Sequence, residues 1–148
     1  MRIAIASDHA AVALKAALAE WLRDAGHEVL DLGPHDTASV DYPDYGYKLA
    51  DAVASGQTER GIALCGSGIG ISIAVNRNPQ VRCALVSEPL SAALSREHND
   101  ANVIAMGARL TGEGMAMACV QAFLDTPFAG GRHQHRVDKL GHYTKVSA

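Results

Sequence analysis

Five short apolar runs, each followed by a segment of helical period, leave this chain few folds to choose from. The first run is RIAIA at 2–6, and behind it Leu14, Leu18, Trp21, Leu22 and Ala25 recur at helical spacing until Gly26. HEVLDLG restarts an extended segment over 27–32. A loop rich in His, Asp, Thr and Ser follows, and PDYGYKLADAVASG reads as a helix with Pro43 in its first turn and Gly56 at its close. The pattern repeats as the strand GIALC, a helix opened by GIGISIAVN, the strand VRCALVS, the helix EPLSAALSREH, the strand NVIAM and the helix GEGMAMACVQAFLDT. Pro127, Gly130 and Gly131 then release the chain into a basic tail. Strands that are unbroken apolar runs are buried on both faces, as in a parallel sheet with helices on either side. The expectation is an α/β fold, a Rossmann-like three-layer sandwich around a five-stranded parallel sheet, in one domain over residues 1–148.

At 148 residues, folding buries roughly 68–70% of the surface that the unfolded chain exposes, so no covalent staples are required. The three cysteines, Cys65, Cys83 and Cys119, form no CxxC pair and leave an odd one out, which indicates neither a disulfide framework nor a zinc knuckle. MRIAIAS at the start is too short for a secretory core or a span of about 20 apolar residues. The expectation is a cytoplasmic chain without a membrane partner. A formal net charge of -3 argues against a nucleic-acid partner, so any bound phosphate is small. The exception is the tail GRHQHRVDKLGHYTK, which concentrates Arg132, Arg136, Lys139, Lys145 and three histidines against one acid, Asp138.

Open parallel sheets bind ligands beyond the carboxyl ends of their strands, where the strand order reverses. Asp8 and His9 follow the first strand, Cys65 to Gly70 the third, Ser87 and Glu88 the fourth, and Gly107 to Arg109 the fifth. His98, Asn99 and Asp100 precede the fifth strand instead. They fall on the opposite edge unless the helix before them is short or a neighbouring subunit presents them.

CGSGIG, at 65–70, poses the sharpest question. Dinucleotide binding needs GxGxxG after the opening strand, whereas Gly66, Gly68 and Gly70 form GxGxG after the third, although Glu88 falls about where a ribose-binding acid would. Glycines alone also permit a sharp strand-to-helix turn. Successive N–H groups at a helix start, however, form a nest for an anion or a developing oxyanion, and a thiol there gains thiolate character. Cys65 is therefore a candidate base or nucleophile, while Cys83 and Cys119, inside a strand and on an apolar helix, belong to the core. Asp8 suits a helix N-cap, and His9 beside it suits proton transfer or phosphate binding. SREHNDANVIAMGAR packs Arg96, His98, Asn99, Asp100, Asn102 and Arg109 closely, offering an acid, an amide and an arginine. In the tail, His133 and His135 lack a third metal ligand nearby, whereas Arg132 and Arg136 at i, i+4 suit a phosphate clamp.

Six ordered blocks, SDHA at 7–10, DYPDY at 41–45, CGSGIGISIAVNR at 65–77, SEP at 87–89, HNDANVIAMGAR at 98–109 and GGRHQHRV at 130–137, resemble the ribose/galactose isomerase family over nearly the whole chain. That family comprises the B-type ribose-5-phosphate isomerases together with the galactose-6-phosphate isomerase subunits. The resemblance implies an aldose-ketose isomerase interconverting ribose 5-phosphate and ribulose 5-phosphate without metal or cofactor. It also implies a homodimer or tetramer with intersubunit sites, to which the basic segment at about 130–148 contributes. By position it assigns Cys65 as the base between C1 and C2, with Ser67 assisting at the substrate oxygens. The backbone of Gly66, Gly68, Ile69 and Gly70 would hold an enediolate. His98, helped by Asp8, would open the furanose ring and Asn99 would bind a sugar oxygen. His9, Arg109, Arg132 and Arg136 would grip the phosphate, and Tyr42 would line the sugar pocket. Ile71 stands where some members carry a glutamate, which puts this chain with the cysteine-base branch. Ala11 and Arg77 replace a common glycine and lysine, and Ala11 bears on the pocket's shape. Galactose or allose 6-phosphate and a tetrulose phosphate stay open as substrates. A non-catalytic nucleotide-binding module is the alternative of another class.

Overall fold

In a computed structural model, which describes residues 1–147, the chain runs β1 (Arg2–Ser7), α1 (Val12–Asp24), β2 (Glu28–Asp31), α2 (Tyr42–Ala54), β3 (Arg60–Cys65), α3 (Ile69–Val75), β4 (Cys83–Leu85), α4 (Pro89–Asn99), β5 (Val103–Gly107), α5 (Glu113–Asp125) and α6 (Gln134–Leu140). Short 3-10 turns cover His9–Ala11 and Gly131–His133. The five strands form one sheet in the order β2-β1-β3-β5-β4, with every neighbouring pair parallel. The chain winds outward from β1 to β2 and returns to the other side of β1 as β3, so the strand order reverses between β1 and β3. The expected α/β sandwich is the observed one.

Strand parity decides what each helix layer meets, because successive side chains point to opposite faces. Ile3, Ile5, Ile62, Leu64, Ile104 and Met106 form one core with Leu18 and Leu22 of α1 and Phe123 of α5. Ala4, Ala6, Ala63, Cys65 and Ala105 face the other way and pack with Leu49 and Val53 of α2 and Ile71 and Val75 of α3. Small side chains on this second face let α2 and α3 sit close to the sheet. Cys65, last residue of β3, therefore faces the layer that supplies the starts of α2 and α3.

One expectation needs correction. VRCALVS yields only Cys83–Leu85 as strand, at the sheet edge. On its open side the Asn76 amide accepts the Cys83 N–H at 2.8 Å and donates to the Cys83 carbonyl at 2.9 Å, occupying the groups another strand would need. The basic tail folds as well: residues 131–140 form the second 3-10 turn and α6, with Val137 buried. Among the described residues no helix is long and apolar enough to cross a membrane.

Periodicity did not identify Lys15. It lies on the buried stripe of α1 with Leu18, Ala19 and Leu22, and its Nζ donates to both oxygens of Asp31 at 2.7 Å. The Asp31 carboxylate also accepts the Gly33 N–H at 2.9 Å, and the Gly33 carbonyl accepts the Ser7 N–H at 3.0 Å. The pair thus fixes the exit of β2 against the end of β1. Removing one partner of a buried ion pair strands the other charge, so Lys15→Met is expected to lower the unfolding free energy by about 3 kcal/mol. Urea denaturation checks this, and an unchanged midpoint with unchanged slope would contradict it.

Candidate active site

β3 ends at Cys65, and the turn behind it folds back onto the sulfur. Gly68 takes φ 77°, the left-handed region open to glycine, and starts α3. That twist points its N–H at Cys65 Sγ, 3.1 Å away, which brings the positive end of a peptide dipole onto the sulfur. The Ile69 N–H donates to Ser67 Oγ at 3.2 Å. Cys65 is 4% exposed and is largely shielded from bulk solvent.

The turn after β5 packs directly against this one. Ala108 N–H donates to the Cys65 carbonyl at 2.9 Å and Arg109 N–H to the Gly66 carbonyl at 3.0 Å. The Arg109 guanidinium lies over Gly66, where a Cβ would stand 3.2 Å from Nη1. Across the opening, Tyr42 at the start of α2 lays its ring on Gly70, where a Cβ would stand 2.6 Å from the ring. Asp8, Tyr42, Cys65, Gly66, Ser67, Gly70, Arg109 and Leu110 line a cleft of about 280 Å³ at the strand-order reversal. Asp8 also caps the first 3-10 turn, accepting the Ala10 N–H at 2.9 Å. His9 Nδ1 accepts the Val40 N–H at 3.2 Å, which ties the segment before Tyr42 to the end of β1. Leu110 is the cleft residue that sequence reasoning missed, since a leucine after a strand carries no chemical signal.

The remaining candidates gather elsewhere. His98, Asn99, Arg132, His133, Arg136, Val137 and Leu140 line a separate hollow of about 380 Å³. His98 and Asn99 end α4, just before β5, so they lie at the amino edge of the sheet while Cys65 pairs with Gly107 at its carboxyl edge. The five residues of β5, on the order of 16 Å at strand rise, separate the two groups. One chain therefore holds two partial sets: the thiol, Asp8, Tyr42 and Arg109 in one, the imidazole, amide and two arginines in the other. Within the second set the His98 and His133 rings stack, with centroids 4.6 Å apart and planes at 17°.

Several polar residues prove to be ties of the fold. Arg96 is buried, pairs with Asp100 Oδ1 at 2.8 Å and donates to the Ala101 carbonyl, while Asp100 also meets Arg82. Asn102 accepts the Arg82 N–H and donates to the Gln80 carbonyl. Glu88 caps α4, accepting the Leu90 N–H at 2.7 Å and the Ser91 N–H at 2.9 Å and contacting the Ser91 hydroxyl. Those Ser91 and Leu90 bonds hold its carboxyl below the usual range. Glu88 is thus spent on its own helix rather than aimed at a ribose. Burial pushes the Cys83 thiol up to about 12, and Cys119 lies in the first core, also raised by burial. A further hollow, about 460 Å³ beside β4, lies away from the thiol, and its Arg82 and Asn76 are already paired within the chain. Among the described residues no three His, Cys, Asp or Glu side chains converge as a metal site requires.

A model of the family described as Ribose/Galactose Isomerase matches residues 3–140. The ribose-5-phosphate isomerase B of Escherichia coli is 44% identical over 139 residues, covering 94% of this chain and 93% of that one. The solved ribose-5-phosphate isomerase B of Clostridium thermocellum superposes with a TM-score of 0.94 at 49% identity, covering 95% of each chain. The D-erythrulose-4-phosphate isomerase of Pectobacterium atrosepticum is 40% identical over 144 residues, 97% of this chain and 95% of that one.

Two glycine substitutions separate backbone from side-chain constraint in the turn. A Cβ at Gly68 would stand 2.7 Å from the Met106 backbone at a φ that alanine disfavours, so Gly68→Ala is expected to cost about 2–4 kcal/mol. Tyr42, 41% exposed, can swing away from a methyl at position 70, so Gly70→Ala is expected to cost under about 1 kcal/mol. Equal losses in chemical denaturation would contradict this ranking.

Proposed function

The chain belongs to the ribose/galactose isomerase family, and on that premise we propose that it is an aldose-ketose isomerase interconverting ribose 5-phosphate and ribulose 5-phosphate. The observation that carries the proposal is the Cys65 sulfur, lining a cleft where the strand order reverses, with an amide directed at it. Aldose-ketose exchange needs a base that removes a proton next to a carbonyl, and donors for the oxygen that then becomes negative. The Cys65 thiolate takes the C2 proton of the open-chain aldose, electrons move onto the C1 oxygen, and the enediolate forms. As sulfur is neutralised, the charge passes to an oxygen beside the same turn. Ser67 moves a proton between the two oxygens, and the Cys65 thiol returns its proton to C1 to give the ketose.

The other half of the chemistry comes from a second copy of the chain. In the proposed homodimer, His98 opens the furanose ring with help from Asp8 across the interface, and Asn99 binds a sugar oxygen. His9 and Arg109 of one chain and Arg132 and Arg136 of the other grip the phosphate. Exposed apolar side chains next to the cleft support such a contact: Ile69 at 51%, Leu85 at 47% and Leu110 at 72% surround a shallow hollow beside Ser67. The name of the Pectobacterium relative supports a second substrate, a tetrulose phosphate, whose chain is one carbon shorter.

Deuterium from solvent is expected to enter carbon-bound substrate positions during turnover. Cys65→Ala is expected to lower kcat by about 10²–10⁴-fold without unfolding the protein. Full activity in that variant would remove the proposed base. The ratio of kcat/KM for ribose 5-phosphate over a tetrulose phosphate and a hexose 6-phosphate identifies the substrate, and a ratio below one against either competitor would overturn the pentose assignment.

A further inference from the structure

His98 ends α4 with its side chain 40% exposed, and the nearest carboxylate, Glu97 Oε1, stands 3.8 Å from Nε2, beyond hydrogen-bonding range. An imidazole so placed must be oriented by something else. His133 supplies a flat surface: its ring lies 4.6 Å from that of His98 at 17°. Stacking restrains the face of His98 while leaving its ring edge, where both nitrogens lie, free for a sugar. We infer that His133 is a positioning residue for His98, holding its imidazole in the orientation that transfers a proton during furanose ring opening. This rests on the proposed role of His98.

The charges around the pair suit this role. Partial burial and the neighbouring His98, Arg132 and Arg136 lower the His133 pKa, with Glu97 opposing them. That direction favours the uncharged imidazole, which sets no like charge against the neighbouring His98, Arg132 and Arg136. Its own contribution would be that of an aromatic plate, which phenylalanine can reproduce and alanine cannot. An aromatic stack of this kind is worth about 2- to 10-fold in the population of one side-chain orientation.

Two assays on the full chain distinguish ring opening from the later proton transfer. Turnover of ribose 5-phosphate begins from a closed furanose, whereas exchange of the C1 hydrogens of ribulose 5-phosphate with deuterium oxide begins from an open chain. His133→Ala is expected to lower kcat for the aldose by about 2- to 10-fold with KM within about twofold. Deuterium exchange of the ketose should keep its wild-type rate, and His133→Phe should restore aldose turnover. Wild-type turnover in His133→Ala would overturn the inference. So would a rise in KM, as for a phosphate ligand, an equal fall in exchange, as for a general loss of structure, or failure of phenylalanine to rescue. His98→Ala, assayed alongside, isolates the premise. Equal loss of turnover and exchange there would refute ring opening by His98 and the inference with it. Selective loss of turnover there, with His133→Ala at wild type, would refute only the stack.

Discussion

The site depends on two turns touching through bare backbone. At the carboxyl ends of β3 and β5, a Cβ on Gly107 would stand 2.6 Å from the Ser67 carbonyl carbon, and one on Gly68 would stand 2.7 Å from the Met106 backbone. No side chain separates the two turns, so their hydrogen bonds close directly, Ala108 to Cys65 and Arg109 to Gly66. The placement of Arg109 and of the amide at the thiol follows from that contact. It turns the Gly68 N–H onto the sulfur and carries the Arg109 guanidinium over Gly66. The thiol that opens CGSGIG thereby receives an amide dipole in a cleft that Arg109 also lines. Gly68 and Gly107 are used for close packing rather than for cradling a nucleotide's phosphates, and the permanent negative charge of a substrate would rest on arginines at the rim.

A second consequence is the division of labour. Parallel topology sends the ends of β1, β3 and β5 to one edge of the sheet and the end of α4 to the other, so no local adjustment can bring His98 to Cys65 within one chain. In an isologous dimer each partner offers the same two patches, and a contact that places one copy's amino edge on the other's carboxyl edge completes two sites at once. The proposed assembly unites a base, an acid and three phosphate-binding arginines that the single chain keeps in two hollows. The same symmetry would cover Ile69, Leu85 and Leu110, which are costly to leave in water.

Much of this was legible in the amino-acid sequence because strands buried on both faces leave a strong apolar signal. RIAIA, GIALC and NVIAM marked the three central strands, and their ends marked Asp8, Cys65 and Arg109. What escaped was set by pairings that composition and periodicity do not report. Lys15 occupies a core position of α1 only because Asp31, from another element, neutralises it. VRCALVS has the composition of a seven-residue strand, yet the Asn76 amide and the ties of Arg82 leave three residues paired. Glu88 carries the same carboxylate whether it binds a ribose or caps a helix, and only the positions of the Leu90 and Ser91 amides decide. Arg96 and Asp100 looked like parts of a polar site for the same reason, while their geometry spends them on each other. The stack of His133 on His98 joins α4 to the tail with β5 and α5 between them in the chain, and no periodicity reports that.

The central claim, that two copies of the chain complete each other's sites, is tested most directly by mixing two inactive variants. Cys65→Ala and His98→Ala proteins, unfolded together and refolded, form mixed dimers in which one site carries both defects and the other carries neither. The account predicts recovery of about a quarter of wild-type activity at equal proportions. Activity no greater than the sum of the two variants refolded separately would contradict it.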